Sequence, residues 1–263
     1  MKKGKIKYYI ISAIILIYLF IPLVATFVFS IAKTWQATIL PEGLTLKWYT
    51  TLFSDTRFLQ SIERSFAVSI LTLLISIVIM IPTVFIVAVY FKKFEKIISV
   101  LSIIPFTVPA VVYAVGLIKI YSSGPIVISG TIWILIGAFF VLILPYMFQG
   151  IRNSLRTVDA VKLMEAAEIL NANRFQAFIH VILPNMIKGV TVSALLSFSI
   201  IFGEFALTNI LAGGAYETVQ IYLYNMQGNS GSISSAVVII YFVCVLILSF
   251  VSTKINKLVT KTR

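Results

Sequence analysis

Six long apolar runs constrain the fold of this chain more than any other feature of its sequence. They cover residues 8–32, 66–91, 97–121, 130–150, 186–212 and 232–251. Each run is long enough to cross a hydrocarbon layer of about 30 Å as a helix that rises about 1.5 Å per residue. Barrel strands are shorter and alternate in polarity, and these runs do neither. The sequence therefore predicts an all-α, polytopic membrane protein with six transmembrane helices.

The low content of charged residues agrees with this class of fold. Of 263 residues, 60% are hydrophobic and only 11% are charged, whereas about a quarter of a soluble domain is charged. The first apolar run exceeds the about 7–15 residues of a signal peptide, so we expect it to be retained as a span. We expect a single membrane domain over residues 1–263, with its core at residues 60–255.

Basic residues are distributed unevenly between the two sides of the predicted spans. With the amino terminus inside, the inner segments hold 16 of the 21 lysines and arginines, and the outer segments hold four. Because positive charge favours the cytoplasmic side, we expect both termini in the cytoplasm and a multi-pass protein of the bacterial plasma (inner) membrane. This distribution also accounts for the net charge of +12 without a nucleic-acid partner.

The chain offers little from which an active site could be built. It contains one histidine, His180, and one cysteine, Cys244. A lone histidine argues against histidine-based zinc sites and catalytic triads, and a lone cysteine excludes an internal disulfide. We therefore expect no catalytic residues, no metal ligands and no cofactor.

The segment between the fourth and fifth runs, residues 151–185, is the longest inner loop and predicts two short helices. Asp159 is placed to cap a helix over residues 160–170, and Asn171 is suited to the left-handed turn that ends it. A second amphipathic stretch, residues 174–182, leads to Pro184, which is well placed to open the fifth span. We expect four apolar side chains of this hairpin to be exposed: Val161, Met164, Phe175 and Phe178. These side chains have two interpretations: they form a docking surface for a soluble partner, or they pack against the span ends and the lipid interface.

The same loop carries a sequence motif. Its fixed positions are Glu165, Ala166, Ala167, Asn171, Val181, Leu183 and Pro184. The pattern resembles the EAA motif of binding-protein-dependent ABC importer permeases, E-A-A-x3-G-x9-I-x-L-P, with Asn171 in place of glycine and Val181 in place of isoleucine. Residues 43–53, 144–159 and 203–205 are similar to permeases of the spermidine/putrescine, ferric-iron and phosphonate group.

This resemblance implies a type I ABC importer permease fold that docks a separate cytoplasmic ATPase. Glu165 would make a polar contact with the ATPase, and Ala166 and Ala167 would permit close approach. Asn171 would set the turn, and Leu183 and Pro184 would anchor the loop to the fifth span. The implied partners are ABC ATPase subunits, a second permease subunit as homodimer or heterodimer, and an extracytoplasmic substrate-binding protein. The chain lacks a phosphate-binding loop motif, so the energy would come from another chain.

Glu204 is the carboxylate that the sequence places well inside a span. An intramembrane charge is costly, so Glu204 is a candidate for lining a substrate pathway, with Thr208 and Asn209 as nearby hydrogen-bonding groups. The alternatives are a structural pair with Lys119 for Glu204, and helix–helix contacts for Thr208 and Asn209.

The expected function is transport of a solute, with a polyamine, ferric iron or a phosphonate as the candidate substrates. Substrate pathway and energy source would then lie on different chains, and the chain itself would not be an enzyme. An ion-gradient-driven secondary transporter or a channel is the alternative, although no inverted repeat is apparent in the sequence.

Overall fold

The computed structural model describes residues 2–35, 38–228 and 230–261, and within these residues the secondary structure is helical apart from one isolated β-bridge between Ala32 and Leu44. The helices are α1 (Lys2–Ile31), α2 (Lys47–Ser54), α3 (Thr56–Tyr90), α4 (Lys92–Thr107), α5 (Ala110–Tyr121), α6 (Ile132–Thr157), α7 (Ala160–Ile169), α8 (Arg174–Ala177), a π-helical turn (Phe178–Ile182), α9 (Leu183–Phe202), α10 (Ala206–Leu211), α11 (Val219–Gln227) and α12 (Gly231–Lys261). The prediction of an all-α membrane fold is confirmed.

Five helical segments of the described chain are long and apolar enough to cross a membrane, and a bent pair brings the number to six. The pair is α4 and α5, which meet at an angle of 95°. Val108 between them is extended, with ψ of 128°, and Pro109 precedes α5. Proline offers no N–H and holds the preceding residue out of the helical region, so the helix stops here. The predicted run 97–121 is therefore two helices joined by a sharp corner.

The predicted run 186–212 also differs from a single helix. Helix α9 ends at Phe202, Gly203 caps it, and α10 begins only at Ala206. Glu204 consequently lies in a break between two helices and not in the middle of one. The expectation of one continuous helix over residues 186–212 was therefore wrong. The break between α9 and α10 determines the environment of Glu204.

The chain divides into two compact units, Met1–Ser61 with Tyr222–Cys244 and Ile62–Ile221 with Val245–Arg263. In the first unit, the indole of Trp48 on α2 donates a hydrogen bond to the carbonyl of Ala32 at 2.8 Å. The Tyr222 hydroxyl donates to Asp55 Oδ2 at 2.6 Å, which ties α11 to the start of α3. The expectation of a single domain over residues 1–263 stays a prediction.

The predicted orientation depends partly on basic residues near the ends of the chain. Several of these lie outside the residues whose side chains the structure describes: Lys2, Lys3, Lys5, Lys257, Lys261 and Arg263.

The second unit is organised around the close approach of α6 and α9. A Cβ atom added to Gly150 would collide with Ser193, and one added to Gly189 would collide with Ser154. Each serine hydroxyl donates within its own helix, Ser154 to Gly150 O at 2.7 Å and Ser193 to Val190 O at 2.9 Å. Small residues at a crossing let two membrane helices approach through their backbones. Gly150 and Gly189 therefore set the distance between α6 and α9.

We expect Gly150→Ala to destabilise the protein by about 1–3 kcal/mol, because the added methyl group must push α9 away. Gly137→Ala in the same helix is the matched control, since a Cβ at Gly137 meets no atom within 4 Å. The control should be neutral or slightly stabilising, because alanine favours a helix over glycine. Thermal unfolding in detergent measures both variants, and equal midpoints for the two would contradict the assigned crossing.

Candidate functional site

The hairpin predicted from the sequence is present, and Asn171 forms its turn. Asn171 adopts φ of 63°, in the left-handed region. Its N–H donates to Glu168 O at 2.9 Å, and the N–H of Ala172 donates to Ala167 O at 3.0 Å. This pair of hydrogen bonds is a Schellman motif, which satisfies the last carbonyl groups of α7. The predicted left-handed turn at Asn171 is confirmed.

Asp159 stands immediately before α7, as predicted, but its carboxylate does not cap the helix. The residue has φ of 49°, and Asp159 Oδ2 lies 2.7 Å from Nζ of Lys162. The hydrogen bond from the Lys162 ammonium holds the pKa of Asp159 below its ordinary value, and the same bond raises the pKa of Lys162. The left-handed backbone turns the side chain toward Lys162, so the capping prediction for Asp159 was wrong.

The second half of the hairpin has a complete capping box. Asn173 Oδ1 accepts from the N–H of Gln176 at 2.8 Å, and Gln176 Oε1 accepts from the N–H of Asn173 at 3.1 Å. From here a helical path continues without a break to Phe202. Pro184 lies in the first turn of α9, directly after the π-helical turn. The wider turn accommodates a residue that has no N–H to donate, so the path toward the membrane begins at Arg174 and passes through Pro184.

One face of the hairpin is buried against the rest of the second unit. The buried residues are Ala160, Met164, Ala167 and Ala177. The ring of Phe178 packs on Phe85, with centroids 4.5 Å apart. The expectation that Met164 and Phe178 are exposed was therefore wrong, because the neighbouring helices offer them an apolar surface. The small side chain of Ala167 therefore packs within the chain itself.

The exposed residues of the hairpin include three large apolar side chains among polar and charged ones. Ile169, Leu170 and Phe175 are 85%, 82% and 74% exposed. Glu165 and Ala166 are also exposed. Large apolar side chains exposed together at one end of a short helical element are typical of a protein-binding surface. We call Glu165, Ala166, Ile169, Leu170 and Phe175 the exposed hairpin face.

A charged cluster ties α4 to the end of α6, next to the hairpin. Glu95 Oε1 accepts from Nη2 of Arg156 at 2.9 Å, and it also accepts from Nε of Arg152. Glu95 is only 16% exposed, so its single charge is partly desolvated between two guanidinium groups. This cluster has no signal in the sequence, because Glu95 and its partners are far apart along the chain and form no local motif.

Glu204 is engaged at the break between α9 and α10. Its carboxylate accepts from the N–H of Leu207 at 2.9 Å and from the N–H of Thr208 at 3.0 Å. The Thr208 hydroxyl lies 3.2 Å from the same carboxylate, and Thr208 is fully buried. Asn209 is exposed, as is Lys119, and no ion pair joins Lys119 to Glu204 among the described side chains. The structure thus brings Glu204 and Thr208 together as a helix cap.

A groove of about 800 Å³ runs along α6 and α9 on one side of their crossing. Its lining also includes Ile103 of α4. The small residues of the crossing form part of the lining, and both apolar side chains and longer polar side chains of the two helices line the rest. Asn153 and Lys188, which are 35 residues apart in the sequence, line the same groove in this fold.

We expect Glu204→Ala to cost about 0.5–2 kcal/mol of stability, because two N–H groups of α10 lose their acceptor. Glu204→Gln should cost less, since its amide oxygen retains one acceptor position. Asn209→Ala is the control, because Asn209 is exposed. Thermal unfolding in detergent measures the stability of the three variants. An unfolding midpoint for Glu204→Ala equal to that of the unaltered protein would show that the cap does not contribute to stability.

Comparisons with known proteins identify the class to which this arrangement belongs. The family described as "Binding-protein-dependent transport system inner membrane component" matches residues 80–261. A Salmonella typhimurium protein named as a 2-aminoethylphosphonate transport system permease, PhnV, is 25% identical over 240 residues, covering 90% of this chain and 88% of the relative. The Escherichia coli spermidine/putrescine transport system permease PotC is 25% identical over 211 residues, covering 80% of this chain and 78% of the relative.

Solved structures share the fold. A chain of a bacterial alginate ABC transporter, in complex with an alginate pentasaccharide-bound periplasmic protein, aligns with a TM-score of 0.76 and 18% identity, over 99% of this chain and 96% of that chain. A chain of the MetNI methionine ABC transporter in an inward-facing conformation aligns with a TM-score of 0.64 and 18% identity, over 76% of this chain and 95% of that one. Since the family match spans more than half of its residues, the chain belongs to the family of binding-protein-dependent transport system inner membrane components.

Proposed function

We propose that this chain, a permease subunit of a binding-protein-dependent ABC importer, docks a separate cytoplasmic ATPase through its exposed hairpin face. The observation that carries the proposal is the two-sided hairpin at the EAA motif. Its inner side is buried in the second unit, while Ile169 and Leu170 are more than four-fifths exposed. Apolar side chains that are removed from water at the centre of an interface supply much of its affinity.

The polar part of the exposed face supplies specificity. Glu165 is exposed one helical turn before Ile169, and residues four apart lie on the same face of a helix. A cationic group on the ATPase would meet Glu165 beside an apolar contact. A charge at the rim of an apolar contact orients a partner more than it strengthens the binding.

The hairpin is built to transmit a displacement. Its second helix continues into α9 without a break, and its first helix follows α6 after Val158 and Asp159. Glu95 ties the end of α6 to α4 through Arg152 and Arg156. Movement of the hairpin would therefore displace α4, α6 and α9 together, as a rigid-body rearrangement requires.

Alternating access follows if the ATPase prefers one arrangement of these helices. ATP would close an ATPase pair, and the closed pair would bind one permease conformation better than the other. Hydrolysis would then reset the preference. The chain would supply the solute pathway together with a second permease subunit, either a copy of itself or a sister chain.

The remaining partner would deliver the solute from the outer side. The related alginate transporter was solved with a periplasmic solute-bound protein, which supports an extracytoplasmic binding protein for this chain. The relatives transport a phosphonate in one case and polyamines in the other, by their names. Phosphonate, polyamine and ferric iron are the substrate classes to be separated.

We expect Ile169→Asp to reduce the amount of ATPase that copurifies by at least about tenfold, because a loss of about 1.4 kcal/mol at an interface already corresponds to that factor. Glu165→Lys should also weaken the association, by reversing the charge beside the apolar contact. Quantitative mass spectrometry of the purified complex measures both.

Leu44→Asp is the matched control, since Leu44 is also an exposed aliphatic residue (68%) but lies far from the hairpin in sequence, in the segment predicted to be outside. It should leave the ATPase signal unchanged. Undiminished ATPase recovery with Ile169→Asp and Glu165→Lys would refute docking at this face. Solute uptake by the unaltered chain without any ATPase would refute the proposed function.

A further inference from the structure

Apolar residues line much of the groove along α6 and α9, and its polar lining consists of one lysine with amide and hydroxyl side chains, without a carboxylate. Gln149 and Asn153 line it from α6, and Asn185 and Lys188 line it from α9. Gln149 lies about 26 Å along α6 from Ile132, at 1.5 Å per residue, and therefore toward the inner end of that span. The polar side chains of the groove therefore lie near the cytoplasmic end of the two spans, where water can reach them.

Two donors in the groove are free to bind a ligand. Lys188 is exposed and forms no ion pair with any described residue. Asn153 is exposed as well, and its side-chain amide makes no hydrogen bond within the part of the chain that the structure describes. Asn185 donates one N–H to Val181 O at 2.7 Å, which fixes the orientation of its amide.

A second cation lies at the margin of the groove. Arg152 Nη1 is 3.4 Å from Oε1 of Gln149, and the Gln149 amide in turn donates to Ser99 Oγ at 3.3 Å. Glu95 provides one negative charge to Arg152 and Arg156 together. One positive charge of this cluster therefore remains uncompensated beside the groove, and it adds to that of Lys188.

The carboxylates that could balance these charges are engaged elsewhere. Glu95 is held by its two arginines, and Asp159, which follows the groove residue Val158, pairs with Lys162. A polycation that entered this groove would lose water without gaining a carboxylate partner, and it would face two like charges. An oxyanion would meet the Lys188 ammonium and the amide N–H groups of Asn153 and Asn185.

We propose that this groove is part of the solute route and selects a phosphonate-type oxyanion over a polyamine. The proposal rests on the permease function proposed above and assigns its substrate class. Sequence identity does not distinguish these classes, because the phosphonate and polyamine relatives are both 25% identical to the chain. The charge of the groove does distinguish them. A phospholipid headgroup carries the same oxyanion chemistry, so the test must separate solute from lipid.

The test places a reporter thiol in the groove of the full chain, purified with its associated subunits into nanodiscs. Val192→Cys in a Cys244→Ser background provides the thiol, since Val192 lines the groove one helical turn after Lys188 and is 65% exposed. In phosphatidylcholine, an anionic methanethiosulfonate should react about three- to tenfold faster than a cationic one, relative to the free reagents, because of the adjacent positive charge. The probes for protection are 2-aminoethylphosphonate and spermidine.

We expect saturating 2-aminoethylphosphonate to slow the modification at least about fivefold and spermidine to leave it unchanged, since protection follows the bound fraction. Lys188→Gln should abolish the protection and reduce the reagent preference, since the positive charge of the arginine cluster remains. Lys188→Arg keeps the charge and should retain both. Lys93→Gln is the matched control, an exposed lysine outside the groove, and it should behave as the parent.

Protection by spermidine, protection by neither probe, or no reaction with either reagent would overturn the proposal. Slower modification in nanodiscs that contain phosphatidylglycerol, with no effect of 2-aminoethylphosphonate in phosphatidylcholine, would assign the groove to a lipid headgroup and also overturn it. ATPase recovery is scored on the same preparations. If ATPase recovery is lost while 2-aminoethylphosphonate still protects the thiol, the docking function alone is refuted. If the ATPase is recovered but 2-aminoethylphosphonate does not protect the thiol, the substrate class alone is refuted.

Discussion

The contact between α6 and α9 is the interaction on which the rest of this structure depends. Gly150 and Gly189 leave no room for a Cβ atom, so the two helices meet through their backbones and through the serines opposite. The same crossing fixes the width of the groove, since residues of both helices line it. It also fixes the hairpin, because α7 follows α6 and the second helix of the hairpin continues into α9. The exposed hairpin face, the proposed docking surface, and the groove are therefore both positioned by this helix crossing.

Features with a local physical cause could be predicted from the sequence. Long apolar runs require helices in a membrane, and these are present. Asn171 tolerates the left-handed conformation, and a Schellman turn is found there. Asp159 shows the limit of such reasoning: its position before α7 was right, but the local backbone conformation directs its carboxylate to Lys162 instead of the helix N–H groups.

Features that depend on tertiary context could not be predicted. The partners of Glu95 lie more than 50 residues away along the chain, and no spacing rule connects them. The burial of Met164 and the contact of Phe178 with Phe85 require neighbours that become visible only in the folded chain. Glu204 was interpreted as a charge within a continuous helix, whereas Gly203 ends α9 and makes the carboxylate a cap. The groove, likewise, combines residues from two helices.

The right-angled corner at Val108 and Pro109 has a consequence for assembly. Helix α4 is about 24 Å long and α5 about 18 Å, at 1.5 Å per residue, so neither alone traverses the hydrocarbon layer. The residues around the bend, Phe106 to Pro109, are exposed in the isolated chain. A helix that breaks within the hydrocarbon layer interrupts its backbone hydrogen bonding where acyl chains cannot replace it. A bend of this kind is tolerated in the hydrocarbon layer only against protein or water, so the corner is the part of α4 and α5 that most needs a covering surface.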